Sequence, residues 1–294
     1  MSAASLFGRP RDEVDRALPE REPVACPVCR VLPRQFAVDF QGLHLARCPG
    51  CGLEFHSPRP VFSQLTQAVY TADYHQPEEA RADRQRATAF ARQMRRLEGL
   101  LPDSRRRLLD VGCGAGAFLR FALDRGWDAA GTDVVLTSWA QRTGARLWEG
   151  QLAAIDLGSV RFDAVRFNHV LEHTLDPLTE LTRARELLTS DGILLIGVPN
   201  LGGFSTRVKS WQSRLWLKRN RWRHYAALHH FWFFTPRTLG QLIRAAGFVP
   251  VYWETPVPDR SGRPLGLSAV YRMLMEGTRS GSLMDFYARL PTNG

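Results

Sequence analysis

The stretch LLDVGCGAGAF, Leu108 to Phe118, decides how this chain is expected to fold. Its first half, preceded by Arg107, is an apolar run of strand length. Its second half holds Gly112, Gly114 and Gly116, three glycines in five residues. A helical pattern follows from Gly116 to Arg125. Strand, glycine turn and helix in that order form the opening unit of a parallel α/β sheet, whose ligands bind beyond the carboxyl ends of the strands. The spacing fits G-x-G-x-x-G/A with Ala117 last, and equally a looser G-x-G-x-G. No G-K-[ST] follows, so a nucleoside triphosphatase loop is not expected. The pattern alone leaves the ligand open.

Downstream, strands and helices alternate. Asp128 to Thr132, Phe162 to Phe167, Gly192 to Val198 and Phe248 to Trp253 read as strands. Ser138 to Thr143, Pro177 to Leu188 and Pro236 to Ala246 read as helices, the last with Thr235 as its N-cap. This alternation predicts a mostly parallel sheet covered on both faces. After Pro256 the segment Leu267 to Met275 fits either strand or helix.

Upstream, Cys26-Pro27-Val28-Cys29 and Cys48-Pro49-Gly50-Cys51 give two C-x2-C pairs. Two thiolates three residues apart on a tight turn reach adjacent corners of a tetrahedron, with ligand distances of about 2.3 Å to zinc. Gly50 and Gly52 would permit left-handed backbone at the second knuckle. Gln35 to Phe40 and Leu43 to Arg47 read as a hairpin between the pairs. The expectation is a zinc ribbon. All four ligands (Cys26, Cys29, Cys48, Cys51) are thiolates, so the zinc would be structural. Cys113, alone in the glycine turn, reads as a packing residue.

The expected organisation is therefore a disordered polar tail over 1–22, a zinc ribbon over 23–60 and a helical linker or cap over 61–104. A sheet domain follows over 105–256, then a C-terminal segment over 257–294. Within the sheet domain, 205–234 is a basic, tryptophan-rich cap or lid. The net charge of +10 suits an anionic partner or an arginine-rich surface. The N-terminus has no apolar core of signal-peptide type and no apolar run is long enough to cross a bilayer, so a cytoplasmic protein is expected.

Charge bears on the ligand. A dinucleotide sets its pyrophosphate against the glycine turn, where Asp110 would repel it. S-adenosylmethionine carries an ammonium and a sulfonium, which a strand-end carboxylate favours. Asp133, ending the second strand, is placed for ribose hydroxyls of either cofactor.

With LLDVGCGAGAF, the segments AAGTDV, FDAVRFNHVLEHTLDP, LLTSDGILLIGVPN and HHFWFFTPRTLGQLIRAAGF give the chain a clear resemblance to class I S-adenosylmethionine-dependent methyltransferases. It is most similar to the small-molecule group of ubiquinone-biosynthesis and sugar methyltransferases, and the ribbon resembles that of sugar C-methyltransferases. The resemblance implies a Rossmann-like seven-stranded sheet with helices on both faces and an antiparallel last strand. It implies cofactor contacts from Asp110, Gly112, Cys113, Gly114, Gly116, Asp133 and Val134. It places Gln151 and Leu152 near the adenine, and Asn168 and His169 near the methionine end. Many relatives carry an acidic residue where Gln151 stands, which puts the adenine amino contact in question.

The expected activity is methyl transfer to oxygen or carbon of a small-molecule acceptor, such as a sugar or natural-product intermediate, nucleotide- or phosphate-linked in one reading. An RNA methyltransferase is the alternative, since ribbon and basic charge suit nucleic acid. Against it, neither the Asn-Pro-Pro-aromatic signature nor a Cys–Cys pair of pyrimidine methylation is present. A cofactor-binding scaffold without catalysis is the second alternative. Candidate general bases are His173 and His230, with His169 and Glu172 beside them. On a helix His169 and His173 would share a face, but no third metal ligand is evident. The sequence sets no oligomeric state.

Overall fold

The computed structural model describes residues 6, 9–68, 79–104, 106–257 and 265–291. It opens with helix α1 (Arg11–Ala17) and strand β1 (Arg21–Glu22), followed by the ribbon strands β2 (Arg34–Val38), β3 (His44–Arg47) and β4 (Glu54–His56). Strand β5 (Arg59–Pro60) returns to pair with β1. Two helices, α2 (Phe62–Ala68) and α3 (Glu79–Leu100), lead into the sheet.

The tail expected to be disordered is ordered from Arg9 onward. Val14 and Leu18, four apart on one face, are fully buried in the cluster that holds Leu43, Leu45 and Leu53. The Gln41 side-chain amide donates to the carbonyls of Leu6 (2.9 Å) and Arg9 (3.2 Å). The remaining residues of α1 face water, which is why the composition reads as polar.

The sheet strands are β6 (Arg107–Val111), β7 (Asp128–Asp133), β8 (Arg146–Glu149), β9 (Phe162–Asn168) and β10 (Leu188–Pro199). Between them run α4 (Ala117–Leu123), α5 (Ser138–Gln141) and α6 (Pro177–Leu187). After β10 come α7 (Phe204–Arg214), a two-residue strand β11 (Trp232–Phe233), α8 (Pro236–Ala245), β12 (Val249–Glu254), α9 (Leu265–Gly277) and β13 (Leu283–Arg289). The seven-stranded order is β12-β13-β10-β9-β6-β7-β8. Strand β13 is antiparallel to both neighbours and the other strands run parallel. This is the Rossmann-like methyltransferase sheet that the resemblance implies.

Alternate residues of each strand serve opposite faces. Leu194, Ile196 and Val198 join the cluster shared with α6, α8 and the ribbon, while Ile193 and Leu195 join the one shared with α3 and α4. Two boundaries therefore shift. Helix α3 delivers Phe90, Met94 and Leu97 into the same core as Leu108 and Phe118, so the sheet domain does not begin at 105. Its seventh strand lies at 283–289, outside the expected 105–256, and the Leu267–Met275 stretch is helical.

Behind the glycine turn lies a fully buried ion pair. Arg166 Nη1 donates to Asp110 Oδ1 at 2.6 Å, both side chains being at most 4% exposed. Gln93 Oε1, in the side-chain amide, accepts from Arg166 Nε (3.1 Å) and Nη2 (3.0 Å), and the guanidinium lies 3.7 Å from the centroid of the Phe118 ring. Gln93 Nε2 donates onward to Asn168 Oδ1 and Asp285 Oδ2. One glutamine from α3 thus bonds to two strands, β9 and β13, and reaches β6 through Arg166. Arg166→Met should cost about 3–5 kcal/mol of unfolding free energy, because Asp110 would stay buried without its partner. Arg166→Met with Asp110→Leu should recover most of that loss in urea titrations; an equally unstable double variant would contradict this account.

Candidate functional site

Strand order reverses beside β6, whose neighbours β7 and β9 lie on either side. The turns after β6 and β9 therefore meet at the carboxyl edge, where open α/β sheets bind ligands. Gly112, Gly114 and Gly116 have φ of 68°, 57° and 79°, the left-handed region that favours glycine. The N–H groups of Gly112 and Cys113 both donate to the Thr132 carbonyl, at 2.7 and 3.0 Å. Gly114 N–H donates to Asp133 Oδ2 at 2.8 Å, so the second strand's carboxylate braces the turn. A Cβ on Gly112 would lie 2.2 Å from a methyl of Val170. The two turns touch only because this position has no side chain.

A cavity opens there. One end is lined by Gly112, Thr132, Asp133, Val134 and the Gly150–Leu152 turn; the other by His169, Val170, His173 and Thr174. The residues fit the cofactor expected from the sequence. Asp133 presents a buried carboxylate, and the Thr132 hydroxyl is buried with no hydrogen-bond partner. Val134, Gln151 and Leu152 are on the cavity wall.

Asp110 is not. Its carboxylate is paired with Arg166 and does not line the cavity, so it cannot offer an uncompensated charge to a sulfonium. Cys113 also turns away: its Sγ would lie 2.9 Å from a Cβ on Gly131, and burial pushes its thiol well above the ordinary range. Asn168 is held by Gln93 on the far side of the turn. Glu180 was missed. From α6 it reaches the cavity beside Leu152, and burial raises its carboxyl to about 7, partly offset by the backbone of Ala153 and Leu152. It is an acidic group near the position where Gln151 departs from its relatives.

At the opposite end no helix runs across His169 and His173, so the shared helical face does not arise. His169 has φ 56°, and Leu171 to His173 make a single 3-10 turn. The turn drives Glu172 into the interior, 1% exposed, with Oε1 3.4 Å from His169 Nδ1 and 3.9 Å from His173 Nε2. Neither Glu172 oxygen has a hydrogen-bond partner. Burial would raise this carboxyl, but the contact with His169 and the charges of His173, His169 and His230 hold it at about 2. His169 moves the other way, because Glu172 outweighs the cost of its burial and raises its pKa.

His230 and its neighbour His229 complete the cluster from the segment before β11. The His173 ring stacks on His229 with centroids 5.3 Å apart and meets His230 edge-on at 4.7 Å. Ligand atoms of Glu172, His173 and His230 lie within 4.8 Å of one another, so His230 supplies the third donor a cation would need. His173 Nδ1 lies 2.8 Å from the His229 carbonyl oxygen. A carbonyl only accepts, so Nδ1 carries the proton and the neutral ring keeps Nε2 as its acceptor.

The ribbon holds this cluster in place. β4 pairs antiparallel with β11, setting Trp232 against Phe55 and Phe233 against Glu54. His56 N–H donates to the Phe231 carbonyl (2.9 Å), and Phe231 N–H donates to the Glu172 carbonyl (2.8 Å). Tyr225 donates its hydroxyl to Glu54 at 2.6 Å. At the ribbon's tip the sulfurs of Cys26, Cys29, Cys48 and Cys51 lie within 4.8 Å of one another. Backbone N–H groups of Cys29 and Cys51 face Cys26 Sγ (3.4 Å) and Cys48 Sγ (3.5 Å). Gly52 has φ 82°, and Arg30 takes the matching place in the first knuckle at 59°. Gly50 is not left-handed; a Cβ there would lie 3.1 Å from Cys29 Sγ.

Residues 82–252 match the family described as methyltransferase domain, over more than half of the chain. The ubiquinone biosynthesis O-methyltransferase of Cereibacter sphaeroides (strain ATCC 17025) is 33% identical over 190 residues, covering 56% of this chain and 73% of that protein. The chain belongs to the S-adenosylmethionine-dependent methyltransferases. The methyltransferase also shares its fold with the 1,6-didemethyltoxoflavin-N1-methyltransferase of Burkholderia thailandensis, solved with S-adenosylhomocysteine (TM-score 0.53, 21% identity, 87% of this chain and 99% of that one). A Thermotoga maritima methyltransferase gives 0.51 at 18% identity, covering 73% and 95%. At these identities the solved structures speak for the fold alone.

The buried histidines of the methyltransferase give a pH test. Burial and the neighbouring His173 hold His230 at about 4, while burial, His230 and His173 hold His229 at about 2. The unfolded chain takes these protons near 6.5, so their contribution to stability is complete above that pH and fades as pH falls toward 4. Unfolding free energy from urea titrations should drop between pH 6.5 and 4, with a shallower drop in His230→Phe. Equal slopes would show that His230 does not titrate with folding.

Proposed function

We propose that the chain methylates an oxygen of a small-molecule acceptor, with His173 as general base. The observation that carries this reading is the His173 tautomer: its Nδ1 is committed to the His229 carbonyl, and the ring lines the cavity that begins at the glycine turn. S-adenosylmethionine, held by Gly112, Thr132, Asp133 and the Gly150–Leu152 turn, supplies an activated methyl group. Glu180 offers the adenine end the carboxyl group that Gln151 lacks.

At the other end an acceptor hydroxyl gives its proton to His173 Nε2 as the oxygen attacks in line. Glu172 then faces the imidazolium and stabilises it. The wall of this half is apolar and aromatic, built from Val170, Phe62 and Leu175, which suits a ring-bearing acceptor and excludes water. The named activity of the 33% identical relative, methylation of oxygen, agrees with a base-equipped site. A sugar or natural-product hydroxyl fits the same chemistry. The reading also assigns structural zinc to Cys26, Cys29, Cys48 and Cys51.

His173→Gln should lower kcat by at least 100-fold while S-adenosylhomocysteine affinity by calorimetry stays within about 3-fold. Parallel loss of both would make His173 structural instead. Withdrawing zinc with a thiol reagent and a chromogenic chelator should release one metal per chain and quench or shift Trp232 emission. It should leave S-adenosylhomocysteine binding largely intact, since the ribbon is joined to the histidine end. A protein without zinc, or cofactor affinity lost in step with the metal, would count against this.

A further inference from the structure

We propose that α7 and the turn after it form a docking surface for an anionic lipid bilayer. The first observation lies in the sequence. Between Asp191 and Glu254 there is no acidic residue, while Arg207, Lys209, Arg214, Lys218, Arg219, Arg221 and Arg223 all fall within it.

The second is that α7 is inside out. Phe204, Val208, Trp211 and Leu215 follow at i, i+4, i+7 and i+11, one continuous stripe, and all four are exposed. The polar side turns inward instead. Ser213 is fully buried, its Oγ accepting the Trp222 N–H at 3.1 Å, and Ser210 Oγ is 2.8 Å from His224 Nε2. A helix packed on a soluble core has the reverse arrangement. The turn after the helix adds Trp216 and Leu217, 75% and 63% exposed. Arg207, Arg214 and Arg219 stand exposed around the stripe.

An apolar stripe with tryptophans and a cationic margin is what the headgroup boundary of an anionic membrane accepts: aliphatic and indole groups enter it while guanidinium groups stay at the phosphates. The same surface on a second copy of this chain would oppose arginines to arginines with no carboxylate in the segment to offset them. Phe204, Trp211 and Trp216 offer rings, but Val208, Leu215 and Leu217 between them are aliphatic groups that suit acyl chains and give a nucleobase nothing to stack on. A second exposed apolar face, Val270, Met273 and Leu274 of α9, leads to the same corner, where Phe204 N–H donates to the Ser280 carbonyl at 2.9 Å. Among the described residues no helix is long and apolar enough to cross a membrane, so contact would be at the surface.

The position matters for the site. α7 begins five residues after β10 ends, at the carboxyl edge of the sheet, and the chain beyond it runs into His229 and His230. A bilayer on α7 would lie beside the histidine end of the cavity and not the cofactor end.

The test is sedimentation of the full-length, zinc-loaded chain with extruded vesicles of phosphatidylcholine alone or with 40% phosphatidylglycerol. Binding should be at least 10-fold tighter to the anionic vesicles and weaken severalfold at 0.5 M NaCl. Trp211→Ser with Trp216→Ser should lose at least 10-fold, and so should Arg207→Glu with Arg214→Glu. These side chains are exposed, so thermal midpoints should not move, which separates a lost surface from a lost fold. Bilayer quenchers attached to lipid acyl chains should dim the wild type more than the double tryptophan variant. Equal binding to neutral vesicles, unaltered binding by either double variant, binding to RNA but not to vesicles, or a stripe buried by self-association would each overturn the proposal.

Discussion

The antiparallel pairing of β4 with β11 is the contact on which the functional half of this molecule depends. It is short, but it lies between two things the chain cannot otherwise connect. On one side is a ribbon too small to hold a core unaided; on the other, a segment between α7 and α8 whose regular structure is one 3-10 turn and β11 itself. Through it, two successive peptide hydrogen bonds run from His56 to Phe231 and from Phe231 to Glu172. The ribbon side chains Cys26, Leu53 and Phe55 share one apolar cluster with Phe167 and Ile196 of the sheet. The ribbon is thus a support packed behind the histidine cluster, not an appendage.

The site has two electrical regimes. Around the glycine turn the charges are cancelled internally: Asp110 is spent on Arg166, and Asp133 is braced by the turn it serves. Around Glu172 they are gathered instead. One buried carboxylate without a hydrogen-bond donor faces His169 and His173 at ion-pair distance, with His230 close by. Such a carboxylate favours each imidazole in its charged form, while burial favours the neutral one. His169, at the rim, is carried toward the charged form; His229 and His230, deeper, are carried away from it. Imidazoles biased toward the neutral and the charged form thus stand side by side.

The basic, tryptophan-rich stretch divides in the same way. Its later part, with Trp222, Tyr225 and Trp232, is buried against the ribbon, whereas Trp211 and Trp216 are left outside. A composition that looks uniform along the chain serves two purposes because the chain turns at Leu215 to Arg221, where Trp216 lies under the Arg221 guanidinium.

The sequence by itself determined the sheet class, the glycine turn and the thiolate cluster. Each rests on local spacing: alternating strand and helix periods, a turn that only glycine can make, and two pairs of cysteines on tight knuckles. The sequence also set Asp133 on the cavity through strand topology, while its family resemblance supplied the cofactor and the places of Gln151 and Leu152. What it could not give were facts created by contact between distant segments. Arg166 lies 56 residues from Asp110 and cancels its charge, so the argument that chose the cofactor used a carboxylate the fold conceals. Val14 and Leu18 order the N-terminal helix only once the ribbon core exists to receive them. Strand β13 enters the sheet from beyond the boundary that periodicity suggested. Most of all, only tertiary structure fixes the tautomer of His173, because the carbonyl that holds its proton lies 56 residues away.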